Sequence, residues 1–283
     1  MFPRHSKAVS IALILSLILS VFAFSAPESY AASSGDVRYI AHRGWSLRAP
    51  ENTLAAFRLA ARNKHFYGVE LDVWEASYDK TTEDPLLLVM HDQSIRRMCG
   101  KNIDIRSISR KTLKKYRIRY GNNISKYPGQ RIPTIEQALD TIYENSRGAI
   151  PVIELKHRLS KRALRYLLKY LDGRKAVIIS FDFDAVSDAV KMAKKLGISK
   201  NIETMYLMSW ISSNQYSSTA VMLKKAGIGC VSIRYPYISK KAVRAFHKKK
   251  IEVSAWTLPS RKTSAEYAAK GVDYITANGR AWN

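Results

Sequence analysis

One feature limits the fold of this chain more than any other: short β-branched runs recur along it, each followed by a helical pattern. The candidate strands cover residues 37–41, 69–74, 150–155, 176–180, 204–208, 230–233, 252–256 and 274–276. Helical patterns fall between them, at 53–62, 134–143, 161–171, 185–196, 217–226, 240–248 and 264–270. The first places Leu54, Phe57 and Leu59 behind a polar start, and the second opens on Pro133-Thr134 with an acid at Glu136. Strands that alternate with helices at this spacing imply parallel βαβ units, because a parallel pair needs a crossover long enough to hold a helix. Eight such units in about 250 residues match a closed (β/α)8 TIM barrel. The competing doubly wound sheet lacks support, since no Gly-rich phosphate fingerprint follows the first strand.

The rhythm breaks once, from Pro85 to Ile132. Leu86–Met90 can form an extra strand there, and a long basic stretch follows, so the segment reads as an insertion between the second barrel strand and its helix. Residues 93–131 hold twelve Lys/Arg against one acid, Asp104. That density suits either a solvated face or a surface that attracts polyanions such as an anionic lipid surface or a wall polymer. Nucleic acid is the weaker choice, because aromatic residues are sparse (Tyr116, Tyr120, Tyr127) and an exported protein rarely meets its own.

Export is expected from the N-terminus. Arg4 and Lys7 precede an apolar run from Ala8 to Phe24, followed by small residues at Ser29, Ala31 and Ala32. This is the build of a cleaved signal peptide over residues 1–31, leaving a domain of 32–283 in the cell envelope or outside it. The alternative is an uncleaved membrane anchor, since the run nearly reaches the ~18 residues a spanning helix needs. The formal charge of +24 falls only to +23 once Met1–Ala31 (Arg4, Lys7, Glu28) is removed. Cys99 and Cys230 fit no metal-ligand spacing, and two cysteines make no disulfide framework.

Ionisable residues cluster where the apolar strands end, which is where barrel enzymes carry their chemistry. The first strand runs into His42-Arg43-Gly44; the second contains Glu70-Leu71-Asp72; the third contains Glu154-Leu155-Lys156. Residues two apart in a strand share a face, so Glu70 and Asp72 point together, as do Glu154 and Lys156. Three carboxylates converging at a barrel mouth resist ionisation unless a cation joins them. Hard oxygen donors without cysteine suit Mg²⁺ or Ca²⁺. His42 and His91, beside such a cluster, suggest a general acid and base. Arg43 offers a planar fork for phosphate. Lys156 can hold a phosphate oxygen or balance the carboxylates; Asn52 can donate its amide to phosphate, and Asn52 or Thr53 can cap the first helix, both at once.

In order and spacing, His42-Arg43-Gly44, Pro50-Glu51-Asn52-Thr53, Glu70-x-Asp72, His91-Asp92 and Glu154-x-Lys156 resemble the glycerophosphodiester phosphodiesterase family. Ile132-Pro133-Thr134-Ile135-Glu136, Ser180-Phe181-Asp182, Ala255-Trp256-Thr257 and Gly271-Val272-Asp273 are similar to its weaker signatures. The resemblance implies a TIM barrel, a divalent cation, and hydrolysis of glycerophosphodiesters to glycerol phosphate and an alcohol. It further implies Glu70, Asp72 and Glu154 as metal ligands, His42 and His91 as acid and base, and Arg43 and Lys156 as phosphate contacts. Glu51 matches a supporting carboxylate and Trp256 an aromatic wall near the substrate. Two departures touch the substrate end: Leu258-Pro259 follows Thr257 where the family often has Asn, and Thr276-Ala277-Asn278 stands where it commonly has Thr-Asp.

Overall fold

The structure, a computed structural model, describes residues 37–76 and 84–279, so the expected export signal lies outside the described residues. In chain order the elements are β1 (Arg38–Ala41), α1 (Leu54–Ala61), β2 (Phe66–Glu75), β3 (Leu87–Val89), α2 (Arg96–Cys99), α3 (Arg110–Leu113), α4 (Ile135–Asn145), β4 (Ile150–Leu155) and α5 (Lys161–Tyr170). There follow β5 (Ala176–Ser180), α6 (Phe183–Lys195), β6 (Ile202–Met208), α7 (Tyr216–Ala226), β7 (Cys230–Arg234), α8 (Lys240–His247), β8 (Glu252–Leu258), α9 (Arg261–Ala268) and β9 (Tyr274–Ala277).

The strands form one nine-stranded sheet, ordered β1-β9-β8-β7-β6-β5-β4-β2-β3, and a further β1–β2 pairing closes it. All pairs are parallel except β2–β3, where Trp74 faces Leu88. Setting that hairpin strand aside leaves eight parallel strands in a ring with helices between them, the (β/α)8 barrel expected from the rhythm.

Two apolar layers hold the ring. Outward residues such as Leu71, Val73, Ile153 and Ile178 pack under Phe57, Leu139 and Leu167 of the helices. Inward residues Ile40, Val152, Val177, Met205, Leu207 and Tyr274 fill the barrel. Each fully buried Leu, Ile or Phe contributes roughly 1.5–3 kcal/mol. Packing inside the ring is tight at Gly68, where a Cβ would lie 2.6 Å from Val152 Cγ2. Helix starts are fixed locally: the side chains of Thr53, Thr134, Ser160, Asp182, Ser239 and Ser260 each accept a first-turn N–H. A cap of this kind stabilises by about 1 kcal/mol. It also explains why α9 starts at Arg261, earlier than apolar spacing alone suggests.

The break in rhythm is an insertion as expected, with a small core of its own. Ile95, Met98, Cys99, Ile105, Ile108, Ile118 and Ile132 pack on Trp74, Leu86, Leu88 and Met90. This sets α2 beside the C-terminal end of β2. Several of the insertion's arginines are engaged internally: Arg106 by Asp104, Arg110 by the Pro85 carbonyl, and Arg131 by the Lys114 carbonyl. Cys99 in this core and Cys230 inside the barrel are both buried free thiols. Among the described residues no helix is long and apolar enough to cross a membrane.

Candidate active site

Glu70 and Asp72 point into the barrel because Leu71 between them points out, and Asp72 lies directly beside Glu154 in the β2–β4 register. One oxygen from each of Glu70, Asp72 and Glu154 lies within 4.8 Å of the others, and all three residues are buried. Their protonation is unequal. Burial, then repulsion from Asp72 and Glu154, pushes Glu70 well above the usual carboxylate range. Burial followed by the Asp72 charge raises Glu154 too, against the pull of Lys156. For Asp72 burial works upward, but Lys156, Arg43 and the Asn52 hydrogen bond outweigh it and hold the group low. Lys156 Nζ bonds Glu154 Oε1 at 2.7 Å and sits 3.3 Å from Asp72 Oδ1, within ion-pair range but out of hydrogen-bond alignment. Glu70 Oε1 and Asp72 Oδ1 are therefore buried oxygens without a hydrogen-bond partner. Buried acceptors of this kind are costly unless something binds them. Converging hard donors, two of them orphaned, fit a divalent cation.

The loop after β1 carries His42 and Arg43. Arg43 adopts a left-handed backbone (φ 56°), as does Asn52 (φ 54°), and the Asn52 N–H donates to the Arg43 carbonyl at 3.0 Å. Such conformations are rare outside glycine and persist where surroundings over-determine them. Here the strained turn aims the Arg43 N–H at Glu70 Oε2, 2.6 Å away. Gly44 makes the turn possible: its φ is +73°, and a Cβ would meet the Ala56 carbonyl carbon at 2.7 Å.

Asn52 is 1% exposed, donates Nδ2 to Asp72 Oδ2 at 2.7 Å and accepts the Asp72 N–H at 3.2 Å, so its side chain is engaged by a carboxylate. Thr53 is the cap. The left-handed backbone turns the Asn52 amide inward, beneath the carboxylates, where it orients Asp72.

The histidines are held alike, through Nδ1, but by different chemistry. His42 Nδ1 meets Asn278 Oδ1 at 2.7 Å, and His91 Nδ1 meets Asp92 Oδ1 at 2.7 Å. Both partners accept, so each Nδ1 carries the hydrogen and Nε2 is left for chemistry. Desolvation, helped by the Arg43 guanidinium, lowers the His42 pKa to about 4. The Asp92 carboxyl is desolvated, which works upward, but the Arg97 and His91 hydrogen bonds outweigh this and hold it low.

Glu51 links the two arms. Arg43 Nη1 donates to its Oε1 at 2.9 Å, and Arg97 of α2 donates to both its oxygens, at 2.6 and 2.9 Å. Arg97 Nε also reaches Asp92 Oδ2 at 2.5 Å. Neither Arg97 nor Asn278 carries a sequence signal of its own; one is among twelve cations of the insertion and the other ends the departing Thr276-Ala277-Asn278 segment.

His42, Arg43, Glu70, His91, Glu154 and Lys156 line one side of a cleft of about 290 Å³ at the C-terminal ends of the strands. Ile179, Phe181, Met205, Leu207 and Trp256 line the other. Trp256 donates Nε1 to the Ser232 carbonyl at 3.1 Å and meets Phe181 edge-on, 5.4 Å between ring centres. The cleft can therefore hold a charged group against the carboxylates and histidines and a less polar one against the aromatic wall.

Among relatives, a glycerophosphodiester phosphodiesterase of Caldanaerobacter subterraneus is 25% identical over 247 residues, covering 83% of this chain and 91% of its own. In structure, an Oleispira antarctica phosphodiesterase in complex with the product sn-glycerol-3-phosphate superposes with a TM-score of 0.71 at 21% identity, over 86% of this chain and 94% of its own. The Thermotoga maritima glycerophosphodiester phosphodiesterase gives a TM-score of 0.64 at 24% identity, over 87% of this chain and 96% of its own. At these identities the structural likeness shows the barrel alone. The model of the glycerophosphoryl diester phosphodiesterase family, however, matches residues 42–278, from His42 to the Asn278 that holds it, and the chain belongs to that family.

Proposed function

We propose that this chain is an exported, metal-dependent hydrolase that cleaves glycerophosphodiesters to glycerol 3-phosphate and an alcohol. One observation carries the reading: two histidines, each fixed through Nδ1, line the same cleft as Glu70 and Glu154, which converge with the buried Asp72. Glu70, Asp72 and Glu154 would hold the cation, Ca²⁺ or Mg²⁺ by the hardness of their oxygens. When bound, such an ion neutralises charge on the phosphoryl oxygens. Arg43 and Lys156 bring donors to the same oxygens, and the aromatic wall at Trp256 faces the organic part of the substrate.

The histidine roles follow from their partners. Asn278 is a neutral amide, and the lowered pKa of His42 leaves its ring unprotonated near pH 7, ready to accept a proton at Nε2. Asp92 accepts from His91 Nδ1 and fixes that ring, which leaves the His91 Nε2 for the proton transfer to the leaving group. His42 takes the proton of the attacking hydroxyl, from water or the neighbouring glycerol 2-hydroxyl, as the new O–P bond forms. His91 protonates the alkoxide as the bond to the alcohol breaks; on the 2-hydroxyl route this leaves a cyclic phosphate, which water then opens to glycerol phosphate. The test is turnover of glycerophosphocholine and glycerophosphoglycerol by His42→Ala and His91→Ala, with and without chelator. Substantial activity in either variant would reject the two-histidine scheme, and activity in excess EDTA would reject the cation.

A polymeric substrate is a second reading. An open cavity of about 740 Å³, lined by Arg96, Arg97, Asn102 and Tyr120, adjoins Asp92 next to His91 and could seat further phosphates of a glycerol phosphate polymer. Release of glycerol phosphate from such a polymer, compared with glycerophosphoglycerol, tests it. Export rests on the N-terminal pattern alone; intact mass of the protein recovered outside the cell would test cleavage after Ala31.

A further inference from the structure

Among the described residues, a group of lysines without carboxylate partners lies at the end of the barrel opposite the cleft. In a parallel barrel every helix-to-strand connection falls at the N-terminal end of the strands. Three neighbouring connections there, leading into β6, β7 and β8, are lysine-rich. Lys194, Lys195 and Lys200 lie at the end of α6 and beyond it; Lys224 and Lys225 end α7; Lys248, Lys249 and Lys250 follow α8. All are exposed except the half-buried Lys249, and no acid interrupts 194–200, 224–229 or 248–251. Lysine in a last helical turn compensates the helix dipole, which accounts for Lys194, Lys195, Lys224 and Lys225. It does not account for Lys200, Lys249 and Lys250, which lie beyond their helices.

The cations nearest the catalytic groups, Arg43, Arg97, Lys156 and Arg158, each meet a carboxylate. Among the described residues none of the eight lysines does, and like charges gathered without partners oppose one another unless an anion covers them. The chain also enters the barrel at this end, through Arg38 at the start of β1. A charge spread over three adjacent loops matches an extended anionic plane better than it matches one bound phosphate.

We propose that this lysine face docks on an anionic lipid bilayer, holding the catalytic mouth away from the surface it binds. The consequence goes beyond the assigned reaction: an enzyme so held acts on diesters in the adjoining aqueous or wall space, not on lipids in the bilayer beneath it. The rival orientation is mouth-first, through the exposed aromatics Phe181 and Trp210, which follow β5 and β6 at the other end.

The experiment is co-sedimentation of the full chain with vesicles of equimolar phosphatidylglycerol and phosphatidylcholine, against pure phosphatidylcholine. Binding should be stronger to the anionic vesicles and weaken with salt. The charge reversal K224E/K225E/K248E/K249E should lower the anionic-vesicle partition at least about tenfold. The milder K224A/K225A should lower it partially, and both variants should keep wild-type kcat/KM on soluble glycerophosphoglycerol, which verifies the fold. Equal binding to both vesicles, or binding unchanged by the reversal, would overturn the proposal. So would loss of binding on Phe181→Ala/Trp210→Ala, which assigns the mouth, or retention by soluble glycerol phosphate polymer without vesicle binding, which assigns a polymer.

Discussion

Arg97 and Glu51 are joined by two parallel hydrogen bonds, 2.6 Å from Nη2 to Oε1 and 2.9 Å from Nη1 to Oε2. Paired donors on a planar fork fix direction as well as distance. With Nε on Asp92, one insertion side chain ties the Arg43–Glu51 arm to the His91–Asp92 arm. Arg97 is thus a positioning residue. Arg97→Ala should lower kcat by about 10–100-fold, the usual cost of losing a group that orients a catalytic one. Arg97→Lys, with a point charge and no fork, should recover part of it. Because Asp92 also loses a partner, the pH–rate profile should change shape, which simple loss of folded protein would not cause.

Metal should stabilise the protein through the same carboxylates that repel one another without it. A ligand that binds only the folded state adds about 2.7 kcal/mol at a hundredfold excess over Kd. Adding Ca²⁺ or Mg²⁺ to chelated protein should raise Tm, and Glu70→Gln, Asp72→Asn and Glu154→Gln should each abolish that rise along with activity. Without metal, Glu70→Gln should match or exceed the wild-type Tm, because the carboxyl it replaces is the one that burial and its two neighbours most disfavour as an anion. A metal-dependent Tm shift that survives Asp72→Asn would place the ion elsewhere.

Stability should carry a pH dependence from a histidine remote from catalysis. His247 Nε2 meets Asp273 Oδ2 at 2.8 Å, and that hydrogen bond raises the His247 pKa against a smaller desolvation effect. A raised folded pKa means the folded state holds the proton more tightly. The pair's contribution is therefore full below about pH 6.5 and is lost as pH rises through the higher folded value. With the His247 side chain 40% exposed, solvent screening limits it to about 1 kcal/mol or less. The urea midpoint difference between wild type and His247→Gln should be widest near about pH 5.5 and shrink above that window. A difference constant with pH would mean packing, not charge, holds the ring.

Much of the architecture was legible because a barrel strand advertises its two faces. Leu71 and Leu155 point out and Glu70, Asp72 and Glu154 point in, a parity that sequence alone preserves. Strand ends were less so: β2 begins at Phe66, three residues before its β-branched core, because Phe66 pairs across to Tyr39. The site's supports were illegible for a different reason. Asn52 bonds a residue 20 positions away, Arg97 one 46 away, and Asn278 one 236 away. Nothing local marks an arginine among many, or an amide past a strand, as the partner of a particular histidine or carboxylate. The direction of Asn52 depends on its left-handed backbone, which the motif does not disclose.

Asn278 offers the sharpest test of how the histidines divide their work. As a neutral amide it holds the His42 tautomer without adding negative charge, so desolvation and Arg43 keep the ring near a pKa of about 4. Asn278→Asp keeps the acceptor and changes only its charge. A carboxylate at Nδ1 favours the imidazolium, so the His42 pKa must rise. A general base is inactive when protonated, so the acid limb of kcat/KM should move to higher pH, with activity lost first on the acidic side. Asn278→Ala should instead lower kcat across the profile, because the ring loses its tether while its charge environment changes little. If His42 were the general acid, Asn278→Asp would keep it protonated to higher pH, and the alkaline limb would move upward in place of the acid limb. The limb that moves therefore assigns the roles of both histidines.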